Sequence, residues 1–151
     1  MNIEKSLTYL LTQISTSHQN TLRKVLNEIG LERGQIFVLI SLWKIDGQNQ
    51  IELANHLNLT APTINKMVEN LTKNGFVECR KCIRDGRMMR VYLTEKSVEI
   101  KSAAEQQWLK LETQFFSSLT DTEKLILSQL FSKMCENIGK NIDSLSDNLQ
   151  Q

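Results

Sequence analysis

From Ile3 to Ile29 the apolar positions Ile3, Leu7, Leu10, Leu11, Ile14, Leu22, Val25, Leu26 and Ile29 advance by threes and fours. With no proline or glycine among them, this is the period of one long amphipathic helix. Gly30 ends it, because glycine adopts the left-handed backbone of a helix C-terminus at least cost. A second helix carries Ile36, Val38, Leu39, Leu42 and Trp43 and stops near Asp46 and Gly47. Asn49 can cap a short third helix holding Leu53, Ala54 and Leu57, and Thr60 can cap a fourth. Pro62 then falls in the first turn, where its missing N–H is harmless. The fourth helix buries Ile64, Met67, Val68 and Leu71 and ends at Asn74 and Gly75.

The period then changes. Val77 and Cys79 alternate with Glu78 and Arg80, and Met89, Val91 and Leu93 alternate with Arg90 and Tyr92, which predicts two strands joined by a charged loop. Helical spacing resumes after Thr94, a candidate cap, in Ile100, Ala104, Trp108, Leu111 and Phe115. Thr120 to Glu123 has the capping-box pattern immediately before the apolar stripe Leu125, Ile126, Leu127, Leu130, Phe131, Met134, Ile138 and Ile142, so a final helix follows. The expected fold is mainly α with a small β-wing: a winged helix-turn-helix flanked by helices at both ends of the chain. Residues 1–151 read as a single domain, with the winged unit at about 32–93 and flanking helices at about 2–29 and 95–145.

Composition supports a globular chain, with 40% hydrophobic and 23% charged residues over 151 positions. The start of the chain has Glu4 and Lys5 and no long apolar run, so no signal peptide or membrane span is expected and the protein is placed in the cytoplasm. Net charge of +1 conceals an asymmetry. Residues 1–59 hold five basic and five acidic side chains, residues 60–96 eight and four, residues 97–151 five and eight, so the segments carry 0, +4 and −3. A basic middle suits a module that meets a polyanion inside a scaffold that does not.

Two short helices with a tight break form a helix-turn-helix, in which Ala54 permits close packing and Leu57 and Val68 close the shared core. On the fourth helix Thr60, Pro62, Thr63, Asn65 and Lys66 lie near the N-terminus; the hydroxyl, amide and ammonium groups there can meet base edges and phosphates. The ribbon that follows crowds Arg80, Lys81, Arg84, Arg87 and Arg90 around its tip. Arginine suits the focused negative potential of a narrow minor groove, and Asp85 can orient Arg87 by a charge-assisted contact. These are the candidate DNA-binding residues.

The segments Ile51 to Thr60 (IELANHLNLT), Asn74 to Val77 (NGFV) and Arg84 to Thr94 (RDGRMMRVYLT) resemble the MarR family, most specifically in the Asp-x-Arg wing and the Leu-Thr after it. The resemblance implies a homodimer whose terminal helices interlock, a fourth helix in the major groove, Arg87 in the minor groove and Asp85 orienting it. It also implies a regulator, commonly a repressor, that binds pseudo-palindromic double-stranded DNA and responds to a small-molecule effector. Cys79 and Gly86 depart from the family pattern, in which arginine is common at both positions. So does Leu31-Glu32, which lacks the usual hydroxyl cap.

Other residues admit sharper and blander readings. Cys79 and Cys82 have metal or redox spacing, yet three residues along a strand turn the thiols to opposite faces, and no second pair accompanies them. Cys135 reads as a core residue of the last helix. His18, Trp43 and Trp108 are candidate effector contacts, although His18 reads more naturally as dimer packing and the tryptophans as core. His56 either touches a phosphate or faces solvent. No cofactor is expected, and the absence of a phosphate loop, a metalloprotease motif or a nucleophile motif argues against an enzyme. The alternative to a DNA regulator is a winged-helix module that docks its basic wing on an acidic protein.

Overall fold

The computed structural model describes residues 2–83 and 86–148. Its elements are α1 (Leu7–Asn27), α2 (Arg33–Lys44), β1 (Gln48–Asn49), α3 (Gln50–Leu57), α4 (Ala61–Lys73), β2 (Val77–Lys81), β3 (Met89–Leu93), α5 (Glu95–Phe116) and α6 (Asp121–Asn148). The chain is mostly helical with one small antiparallel sheet, as expected. Its contacts divide it into two compact units, residues 1–111 and 112–151.

In the first unit the local signals act largely as their chemistry dictates. The long first helix starts later than its apolar period suggests. Ile3–Lys5 form a 3₁₀ turn, and the Ser6 hydroxyl accepts from the Tyr9 amide at 3.2 Å to open α1. Gly30, at φ +75°, closes it, with the Leu31 amide donating to the Leu26 carbonyl at 3.0 Å. Gly75 does the same for α4, where the Phe76 amide donates to the Leu71 carbonyl at 2.9 Å. Asn49 opens α3 with a full capping box: its side chain accepts from the Glu52 amide at 2.9 Å and its own amide donates to the Glu52 carboxylate at 2.8 Å. The break before α4 is a left-handed Asn58, at φ +51°.

Two expected caps work differently. The Thr60 hydroxyl lies 2.8 Å from that of Thr63 and accepts no hydrogen bond from the α4 backbone. The Thr94 hydroxyl donates back to the Gly75 and Phe76 carbonyls at 2.7 and 3.0 Å, tying the start of α5 to the end of α4.

Between the helices lies a core in which Leu39, Leu53, Ile64, Leu71 and Val91 are fully buried, and Ala54 and Val68 lie buried between α3 and α4. The sheet has strand order β1-β3-β2, all antiparallel. β2 and β3 are the expected ribbon, with Cys79 opposite Val91 and Arg80 opposite Arg90. β1 was not visible as a strand, because two residues cannot display alternation. Its Gln48 is 3% exposed and satisfied internally, donating to the Ile45 and Ser41 carbonyls at 2.6 and 2.9 Å.

The turn ahead of β1 demands glycine. Gly47 has φ +71°, and a Cβ there would lie 2.7 Å from Cε1 of Tyr92. Gly47→Ala therefore loses about 2–3 kcal/mol from backbone strain and ring displacement. That corresponds to a melting temperature lower by about 4–10 °C. Gly30→Ala, strained alike but with nothing within 4 Å of the new methyl, loses distinctly less. Equal shifts in a thermal melt would contradict this account of Gly47.

In the second unit α6 opens on the expected capping box. The Thr120 amide donates to the Glu123 carboxylate at 2.8 Å, and the Glu123 amide to the Thr120 hydroxyl at 3.3 Å. The backbone and hydroxyl donors of Thr120 hold the Glu123 carboxyl below its ordinary 4.5. Among the described side chains of α6 none is buried: Leu125, Ile126, Leu130, Phe131, Met134 and Ile138 are all exposed. Cys135 shares that exposure, which corrects its reading as core. No described helix is long and apolar enough to cross a membrane.

Candidate nucleic-acid interface

The N-terminal half of α4 sorts its side chains by depth. Ile64, Val68 and Leu71 are buried, which turns Pro62, Asn65 and Lys66 outward, with Thr60 exposed just ahead of the helix. Thr63 is half-buried, its hydroxyl 2.8 Å from that of Thr60. Because no side chain caps α4, its first amides remain available to an anion, and Lys66 adds a full positive charge one turn along. Hydroxyl, amide and ammonium groups are thus offered together on a rigid element, as contact with base edges and phosphates requires.

On the ribbon, Arg80 and Lys81 are exposed at the end of β2. The Arg80 guanidinium pairs with the Glu78 carboxylate and lies over the Tyr92 ring, 5.1 Å from its centroid. The Cys82 amide donates to the Met88 carbonyl at 2.7 Å and closes the loop; Arg87 is exposed within it. Arg84 and Asp85, and with them the Asp85 to Arg87 contact, lie outside the described residues.

Arg90 behaves differently from its neighbours. It is half-buried, donates to the Gly47 carbonyl at 2.6 Å and lies 3.5 Å from the Glu52 carboxylate. The sequence shows five basic side chains of one kind, whereas the structure separates one whose guanidinium is held within the protein. His56 likewise has a partner the sequence did not suggest, with Nδ1 2.6 Å from the Gln48 side-chain oxygen. Cys79 faces inward opposite Val91 and is 3.9 Å from the Thr72 hydroxyl, and Cys82 is half-buried. Among the described residues no three His, Cys, Asp or Glu side chains are grouped to hold a metal.

Trp43 and Trp108, 65 positions apart in sequence, line one cavity of about 340 Å³ between α2 and α5. Trp43 donates its indole N–H to the Ser97 carbonyl at 3.1 Å, and Trp108 meets Phe37 edge to face at 6.2 Å. Both are half-buried, each between a pure core residue and a surface one. Lys44, Lys101 and Glu105 stand at the same cavity. These three carried no sequence signal, because only the packing of two distant helices brings them together. His18, half-buried on α1, is not among the lining residues.

Comparison with known proteins agrees with the fold, and the family match takes in the Ile51 to Thr60 and Asn74 to Val77 segments and the start of the Arg84 to Thr94 segment. The sequence profile of the MarR family matches residues 31–89. The HTH-type transcriptional regulator YwoH of Bacillus subtilis is 30% identical over 126 residues, covering 82% of this chain and 91% of that protein. A MarR protein from Peptoclostridium difficile superimposes with a TM-score of 0.82 at 25% identity, covering 93% of this chain and 94% of its own. The S. aureus MepR–DNA complex, at 21% identity, shares the fold with a TM-score of 0.79 over 91% of this chain and 99% of the MepR chain.

Proposed function

The chain belongs to the MarR family of transcriptional regulators, and on that premise we propose that it binds a pseudo-palindromic promoter duplex as a homodimer and represses transcription. The observation that carries this reading is the depth sorting of α4. Its apolar stripe is consumed by the core, which leaves Pro62, Asn65 and Lys66, with Thr60 and Thr63, to face a major groove. Arg87 reaches the adjacent minor groove, Arg80, Lys81 and Arg84 contact phosphates, and Asp85 orients Arg87. The whole chain acts as one functional domain, with the winged unit at about residues 32–93 reading DNA and the flanking helices pairing two copies.

The second copy accounts for the uncovered apolar side chains. Leu7 and Ile14 of α1 are 85% and 57% exposed, and the α6 stripe is exposed as well. Each such side chain gains about 1.5–3 kcal/mol when fully buried, so a self-complementary pairing of terminal helices is a strong attraction. A twofold dimer in turn presents two winged units to two half-sites.

The cavity between α2 and α5 favours an effector-responsive regulator. Trp43 and Trp108 offer apolar walls, while Lys44 and Lys101 offer charge to an anionic group, the usual composition of a small-molecule pocket.

A gel shift with the duplex upstream of the protein's own gene, against a scrambled duplex of equal length, tests the proposal. The upstream duplex is retained preferentially, and affinity falls steeply as salt rises because phosphate contacts release counterions. Equal retention of both duplexes, or binding indifferent to salt, is the behaviour of a protein-docking module and would end this reading.

A further inference from the structure

The fastening of Arg90 has a mechanical meaning. Arg80 and Arg90 lie directly opposite each other across β2 and β3, an arrangement that repels unless each charge is met. Glu78 meets Arg80 within its own strand. Arg90 is met from outside the ribbon, by the Gly47 carbonyl at 2.6 Å and the Glu52 carboxylate at 3.5 Å. The Glu52 oxygen involved, Oε2, is the one that accepts from the Asn49 amide at 2.8 Å in the cap of α3. Asn49 in turn pairs with Arg90 in the sheet. One residue earlier than Gly47, the Asp46 carboxylate accepts from the Leu93 amide at 3.0 Å and from the Gly47 amide at 2.9 Å. The stretch from the end of α2 to the first turn of α3 is therefore fastened to β3 at Asp46, Gly47, Asn49 and Glu52.

We propose that Arg90 is a positioning residue, which locks the loop-proximal part of the wing's β3 strand to the N-terminal end of α3 through Gly47 and Glu52 and so fixes the wing relative to the DNA-reading helix. The inference rests on the DNA-binding reading above. A wing that could rock on its base would lose conformational freedom on engaging a duplex, and the lock removes that cost before DNA arrives. The effect falls on specific binding, which needs α4 and the wing in register at one site. Nonspecific binding needs only charge.

Glu52→Gln separates this role from direct contact. Glutamine can still serve in the capping box of α3, so the fold is retained, while a negative charge is removed from a DNA-binding module. Charge alone predicts unchanged or tighter binding; positioning predicts operator binding weaker by about threefold, the scale of a half-exposed ion pair. Arg90→Gln loses a charge-assisted hydrogen bond as well and weakens operator binding by about tenfold. Its salt dependence stays that of wild type, and the ratio of operator to scrambled binding falls in both variants. The double variant binds no worse than Arg90→Gln alone, because both changes break one link.

Glu52→Gln protein that binds its operator as tightly as wild type or more tightly overturns the proposal. So does an Arg90→Gln salt slope reduced by about 0.9, which is the signature of a lost phosphate contact. Wild-type protein that fails to prefer its upstream duplex defeats the functional reading itself, whereas preference retained by wild type and undiminished in Glu52→Gln defeats only the positioning role.

Discussion

Replacing Ile126 and Leu130 together with glutamate yields a monomer that no longer holds its operator. Each is 49% exposed on α6, so the protomer tolerates the change at a cost within about 0.5 kcal/mol per site. In the proposed dimer the same positions are covered by a second copy, and twofold symmetry doubles every substitution, placing four carboxylates in an apolar contact. Burying even one unpaired charge costs several kcal/mol, so the dimer dissociation constant rises by more than about a thousandfold. Operator affinity falls with it, because a monomer reaches one half-site only. Sedimentation at micromolar concentration reads the first effect and a gel shift the second. A variant that still sediments as a dimer would show that this face of α6 does not hold the copies together.

Arg87→Ala costs operator binding about 1–3 kcal/mol, with the slope of affinity against salt reduced by up to about one phosphate equivalent. The Cys82 to Met88 hydrogen bond that closes the loop is made by the backbone, so the hairpin survives the substitution. Arg87→Lys recovers only part of the loss, since an ammonium restores the charge without the planar fork that lodges in a narrow groove. Titration of the upstream duplex at physiological salt measures all three proteins. An alanine variant that binds like wild type would remove Arg87 from the interface.

These predictions draw on different levels of legibility. Periodicity located the helices whether the core consumes the stripe, as in α4, or leaves it exposed, as in α6, and the cap at Asn49 and the capping box at Thr120 were readable because their chemistry is local. The ribbon was readable through its change of period, and the family through the residues around Arg84 to Thr94.

What escaped the sequence depends on distant parts of the chain. Gln48 looks like a solvent residue, yet it is buried where the Ser41 carbonyl of α2, the Ile45 carbonyl just beyond it and a ring nitrogen of His56 meet its side chain. Arg90 looks like Arg80 and Arg87, and only the return of the chain at Gly47 and Glu52 sets it apart. The cavity between Trp43 and Trp108 exists only once α2 and α5 pack. Thr94 reads as a helix cap by proximity in sequence, but its hydroxyl donates to the Gly75 and Phe76 carbonyls, which only the fold brings beside it.

Hydrogen exchange measured on the protein with its own upstream duplex, and again with a scrambled one, probes most directly whether α4 and the wing face DNA. The account predicts slowed exchange at the amides opening α4, around Ala61 to Lys66, and at the hairpin tip around Arg87, with the upstream duplex alone. A tight, sequence-dependent complex in which both regions exchange as fast as in the unbound protein would contradict it.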